Sequence, residues 1–254
     1  MIAGLVNGGA GTSGVEPMLI RASGPALAAF GVTGTLADPQ IKLLSGQTTI
    51  GADAGWSGSP VIAARATAVG AFTWGTSATP DSAISTSLGQ GSYTAEVSSV
   101  SGGTGVALVE VYDATVSSGT GSSTPHLINI STRGFVGTGG NELIAGFVVS
   151  GTTSQTVLIR ASGPALAAFG VTGTLADPKI DLLEGQTVLA SNTGWNGDPN
   201  IASQAQVVGA FSWGTSATAD SAILVTLPPG AYTAEVKGAS GDTGVALVEI
   251  YALP

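Results

Sequence analysis

Leu127-Ile128-Asn129-Ile130-Ser131-Thr132 alternates apolar and polar positions with the period of two expected of a half-buried strand. Tyr232-Thr233-Ala234-Glu235-Val236-Lys237 does the same, with Tyr232, Ala234 and Val236 on one face and the Pro228-Pro229-Gly230 turn before it. Gly244–Tyr251 is almost continuously apolar, as a central strand is: Val245, Leu247, Glu249 and Tyr251 share one face, and Ala246, Val248 and Ile250 the other. Val157–Arg160, Lys179–Leu183, Thr187–Ala190 and Ala222–Leu227 are further strands, short and separated by Gly or Pro turns. Helical signals are brief. Pro25–Phe30 starts with proline and stops before Gly31, and Ser59–Gly70 and Asp198–Gly209 each pair an N-cap candidate with proline at N1 and a closing glycine.

The pattern occurs twice. Leu158–Pro178 repeats Leu19–Pro39 residue for residue, 139 positions on. At the same offset Trp56 matches Trp195, Trp74 matches Trp213, Asp81 matches Asp220, Tyr112 matches Tyr251, and Thr104–Glu110 matches Thr243–Glu249. Upstream, Ile2-Ala3-Gly4 matches Ile144-Ala145-Gly146, so the first copy carries three extra residues in its Asn7–Glu16 loop. Ala114–Pro125, rich in Ser, Gly and Thr, reads as a linker. The expected organisation is all-β: two tandem jelly-roll-like β-sandwich modules with short helices, residues 1–113 and 126–254, joined by the Ser/Gly linker 114–125. His126–Arg133 leads into the second copy and has no counterpart in the first. The first module therefore opens in mid-pattern, as a fragment of an exported protein would, and should have a slot where that strand belongs.

Composition narrows the function classes. Only 9% of residues are charged, the net charge is −9, and there is no cysteine and one histidine. An acidic chain does not suit nucleic acid or an anionic membrane surface. Disulfides, thiolate catalysis, cysteine–zinc sites and histidine triads are unavailable to it. No apolar run reaches the roughly 18 residues of a membrane span, so membrane insertion is not expected. Met1–Val6 lacks the basic-then-apolar order of a secretory signal. Scarce charge with abundant Gly, Ser, Thr and Ala points to a bacterial extracellular or cell-surface protein.

Several side chains invite a chemical reading. Arg21 and Arg160 end apolar strands, where a guanidinium could recognise carboxylate or phosphate; the plainer expectation is structural ion pairing with Glu110 and Glu249, because a core arginine is costly unpaired. Glu96 with Glu110, and Glu235 with Glu249, could be read as glycosidase pairs, but they lie mid-strand with no cleft-forming insertion, and no enzyme activity is expected. Asp38, Asp81, Asp177 and Asp220 sit at turn-to-strand junctions, where calcium or simple turn and cap duty would suit them. No other cofactor is expected. Trp56 and Trp195 could form a sugar-stacking platform or a lid on a small core.

The order Asp177-Pro178, Gly185–Asn192, Trp195, Asp220–Ile223 and Leu227–Tyr232 before a last strand resembles the bacterial pre-peptidase C-terminal domain, a jelly-roll-like sandwich appended to secreted proteins. The whole module also resembles tandem surface repeats of environmental bacteria. Some members of the pre-peptidase family bind calcium through an Asn-Asp-Asp turn; here the matching turns, Asn192-Thr193-Gly194 and Asp53-Ala54-Gly55, are poor in carboxylates, which leaves Asp81 and Asp220 as the better matches. The expected function is a non-catalytic structural or adhesive repeat that associates with itself or with neighbouring repeats. Leu127, Ile128, Asn129, Ile130, Ser131, Thr132 and Arg133 would be the segment for strand addition, filling the slot of module one or of another chain. The alternative is an accessory module of a secreted enzyme that binds carbohydrate or matrix, with a surface glycan as partner.

Overall fold

The computed structural model describes residues 1–75, 80–114, 124–213 and 219–254. The chain divides into two compact units, Met1–Ile128 and Asn129–Pro254. Most of the expected linker, residues 115–123, lies outside the described residues.

The first unit runs β1 (Ile2–Gly8), β2 (Glu16–Ser23), a 3-10 helix (Pro25–Phe30), β3 (Pro39–Ser45), β4 (Thr48–Asp53), α1 (Pro60–Ala68), β5 (Ser82–Leu88), β6 (Gly91–Ser99) and β7 (Leu108–Asp113). Its antiparallel strands lie in the orders β1-β6-β3-β4 and β5-β2-β7. The second begins within β8 (His126–Val136) and continues through β9 (Leu143–Val149), β10 (Gln155–Ser162), a 3-10 helix (Pro164–Phe169), β11 (Pro178–Glu184), β12 (Thr187–Thr193), α2 (Pro199–Val207), β13 (Ser221–Leu227), β14 (Gly230–Gly238) and β15 (Gly244–Ala252). Its strands lie in the orders β12-β11-β14-β9 and β13-β10-β15-β8. Each unit is an all-β sandwich, and the two differ by one strand.

Strand alternation sets the layers. On β2, Met18, Ile20 and Ala22 face the space between the sheets, where Leu5, Ile41, Leu43, Ala95 and Val97 meet them. Leu19 and Arg21 face the other way. That outer face carries a second, smaller core, in which Leu19, Trp56, Trp74 and Ala83 pack beneath Ile62 and Ala66 of α1. The second unit repeats both layers, with Val157, Ile159, Ala161, Ala246, Val248 and Ile250 inside and Leu158, Trp195 and Tyr251 outside under α2.

The duplicated segment explains its own shape. Proline at N1 starts each 3-10 helix, and Gly31 (φ 80°) and Gly170 (φ 76°) end them in the left-handed region. Gly24 must lack a side chain, because a Cβ there would sit 2.1 Å from the Leu36 carbonyl oxygen. The two α-helices differ at their caps: Asp198 accepts from the backbone N–H of Asn200 (2.8 Å) and Ile201 (3.3 Å), whereas Ser59 makes no side-chain cap bond. Among the described residues no helix is long and apolar enough to cross a membrane.

Candidate functional site

Arg21 is held on the outer face of β2 with 1% of its surface exposed. Its Cζ lies 4.6 Å from the centroid of the Phe72 ring and 4.2 Å from that of Trp74, so the guanidinium is flanked by two aromatic rings. Its Nη1 donates to the Phe72 carbonyl at 3.0 Å, and its Nε stands 3.4 Å from Glu110 Oε2. The Tyr112 hydroxyl donates to the other Glu110 oxygen at 2.6 Å. Trp74 Nε1 donates to Ser23 Oγ at 2.8 Å. The second unit builds the same cluster: Arg160 lies 4.6 Å from Phe211 and 4.2 Å from Trp213, with Nη1 3.3 Å from Glu249 Oε2, and Tyr251 donates to Glu249 at 2.7 Å.

Burial pushes the carboxyl of Glu110 and that of Glu249 up and draws both guanidinium pKa values down, while the opposite charge and the tyrosine hydrogen bond pull the carboxyls back. Burial first, then the bond to the glutamate, raises both tyrosines. Each side chain of the cluster makes at least one bond to another member or to the backbone, while, among the described residues, Arg21 Nη2 and Arg160 Nε are buried without a hydrogen-bond partner. Such an arrangement fixes the tryptophan segment and the helix onto the sheet. It offers no exposed nucleophile and no paired acid and base beside open space. Glu96 is exposed on β6, whereas Glu110 lies on β7 of the opposing sheet with the core between them. They do not form a carboxylate pair.

The four aspartates expected at strand junctions are engaged locally. Asp81 Oδ1 accepts from the backbone N–H of Gly24 (2.7 Å) and Ala26 (3.3 Å), capping the start of the 3-10 helix, and Asp220 does the same for Gly163 (2.7 Å) and Ala165 (3.3 Å). Asp38 accepts from Ser99 Oγ and from the Ser101 N–H at 2.9 Å, bonds that lower its pKa. Asp177 accepts from Ser240 Oγ and stands beside Asp242, whose carboxyl is raised in turn. Among the described residues no group of three or more His, Asp or Glu side chains is placed to hold a metal ion.

Trp56 and Trp195 are 8% and 7% exposed and meet Trp74 and Trp213 edge to face, with ring centroids 5.6 and 5.5 Å apart. The expected stacking platform is therefore not formed by these rings. Their faces are spent on the outer core, a use that sequence spacing does not distinguish from display. Beside Trp56, a cavity of about 70 Å³ lies between Arg21, Ile62, Ala66 and Trp74.

The segment Leu127–Arg133 lies in β8. Most of it belongs to the second unit. Asn129–Val136 of β8 pairs with β15 of its own unit, from Tyr251 opposite Asn129 to Gly244 opposite Val136. The buried Asn129 amide donates to the Ile250 carbonyl at 3.0 Å. The preceding residues belong to the first unit, where Leu127 packs on the core and Ile128 approaches Gly8. The cause is fit: Ile130 and Val136 complete the apolar layer of the second unit.

The remaining feature is the free side of β7. Among the described residues no strand pairs with it, whereas β15, its sequence twin, carries β8. Ala107 and Val109 are half-buried, but Ala246 and Val248 are fully buried. Val106 and Leu108 are 45% and 40% exposed, and their counterparts Val245 and Leu247 are half-buried. The Ala114 N–H donates to Pro17 of β2 at 2.7 Å. By alternation, the backbone groups of Tyr112 and Glu110 also face β2, and those of Val111 and Val109 face outward. Sequence reasoning foresaw a slot; it did not show which backbone groups line it.

No protein-family model and no curated protein matches this chain. Among solved structures it is similar to the pre-peptidase C-terminal domain of collagenase from Bacillus anthracis, at 12% identity over 48% of this chain and 89% of that one, with a TM-score of 0.30. This is the domain type that the sequence blocks resemble.

Proposed function

We propose that the chain is a non-catalytic structural repeat of a bacterial extracellular or cell-surface protein, joined to its neighbours by β-strand addition at β7. The observation that carries this reading is the difference between β7 and β15. One sequence, Thr104–Glu110 and Thr243–Glu249, forms a covered strand in one unit and, among the described residues, an edge with no strand beside it in the other. Exposed edges of this kind pair with other chains unless they are blocked. Low charge supports the reading, since only 9% of residues would oppose close packing. So does the use of the buried ionic side chains for internal bonding.

Light scattering over a concentration series tests it. The molar mass should grow beyond 24.7 kDa, and Leu108→Lys, a charge on an exposed edge position, should suppress that growth without altering the melting curve. Val109→Pro, which removes an outward N–H, should act in the same direction. A constant monomer mass at all concentrations overturns association through β7.

A further inference from the structure

We infer that the strand accepted by β7 is a β8-type strand from a neighbouring repeat, aligned as β8 is on β15. This rests on reading β7 as the joining edge and adds the identity and register of what it joins.

The second unit supplies the template. β15 holds β8 with Val248 opposite Thr132, Glu249 opposite Ser131, Ile250 opposite Ile130 and Tyr251 opposite Asn129. β7 offers the same series: Val109 and Glu110 are identical to their counterparts, Val111 replaces Ile250, and Tyr112 matches Tyr251. A strand in that register would set an Asn129-type amide against the Val111 carbonyl, as Asn129 now meets Ile250. An Ile130-type side chain would cover Val109 and Val111, which are only half-buried against the first core.

The donor is not this chain's own β8. Asn129–Val136 is paired along its length with β15, and Val136 is fully buried in the second core. Moving β8 to β7 would open one edge to close another, with no new pairing gained. Its first residues are also engaged, through Leu127, in the first unit. The source is therefore a β8-type strand of a neighbouring repeat that is not already paired within its own unit.

The probe is a fluorescein-labelled peptide with the sequence of residues 124–137, titrated onto the full chain. Its control carries N-methyl groups at the Ile130 and Thr132 positions, whose N–H groups face β15 in the template. Saturable binding is expected. Hydrogen exchange should slow at the amides of Val109 and Val111 and stay unchanged at Val248 and Ile250. N-methylation should weaken binding by roughly tenfold or more, since it removes two ladder bonds. Protection at Val248 and Ile250 alone, or equal binding of the methylated peptide, overturns the inference. If the peptide fails to bind while Leu108-dependent mass growth persists, the occupant is wrong and the joining edge stands; if neither is seen, both fall.

Discussion

Arg21 and Glu110 hold opposite charges out of water, and the balance between them is set by what each would meet alone. Removing one partner leaves the other buried and unpaired. Arg21→Met should cost about 3–5 kcal/mol in urea unfolding, whereas Arg21→Met combined with Glu110→Gln should recover part of that loss. A full-sized loss in the double variant would mean that the ring contacts, not the charges, carry the cluster. Glu16 gives a second test at this scale. It is buried, and burial together with the adjacent Asp113 carboxyl raises its pKa from 4.5 to about 7. Between those values the folded state keeps a proton that the unfolded state releases. The contribution of Glu16 is therefore full at low pH, falls as pH rises from about 4.5 to 7, and is flat above. The second unit has Gln155 and Ala252 at these places. Glu16→Gln should flatten melting temperature against pH across that window; an unchanged slope would assign it to another group. Asp181 has the opposite sign: burial alone would raise its pKa, but Lys237 (2.6 Å), Ser191 (2.5 Å) and Lys179 (2.9 Å) together lower it to about 2. Its contribution is present above the ordinary carboxyl range and fades as pH falls toward 2. Asp181→Asn should destabilise by about 1–3 kcal/mol at neutral pH, a loss that urea melts would detect.

At the scale of elements, most strands were legible because alternation and turn residues specify them locally, but β1 and β9 were not singled out. The 3-10 helices and both α-helices were legible through their prolines and glycines. What stayed hidden depends on partners distant in sequence. Nothing in Leu127–Val136 says that it belongs beside β15, because pairing is chosen by the fit of Ile130 and Val136 to a layer whose β15 strand lies more than 100 residues later. The aromatic flanking of Arg21 was equally hidden, since Phe72 and Trp74 lie 51 and more positions away on an irregular segment. The dependence on β8 has a measurable result. Deleting Asn129–Arg133 should strip the edge of β15 and lower the stability of the second unit, and circular dichroism melts should record this as lost cooperativity. A deletion variant that melts like the parent would mean that β15 closes its edge in another way. Deletion is thus a poor test of association, which is better probed at Leu108.

Across the whole molecule, two nearly identical sequences fold in different surroundings, and each unit is the control for the other. Amides of Val109 and Val111 should exchange faster than those of Val248 and Ile250, because among the described residues only the latter pair faces a neighbouring strand; equal rates would mean that β7 is already capped. Chelation should leave melting unchanged, since among the described residues no group of three or more His, Asp or Glu side chains is placed to hold a metal ion. The exact duplication of Leu19–Pro39 in Leu158–Pro178 has a consequence for biosynthesis. Each copy supplies the central strand of one three- or four-stranded sheet, β2 or β10, so a nascent chain presents two interchangeable candidates for the same place. Until one sandwich has closed, exchange between them is a kinetic trap of the kind that repeat proteins face. The Lys179, Asp181 and Lys237 trio on β11 and β14, which the first copy replaces with Gln40, Lys42 and Ser98, would be broken in a hybrid that set β3 beside β14.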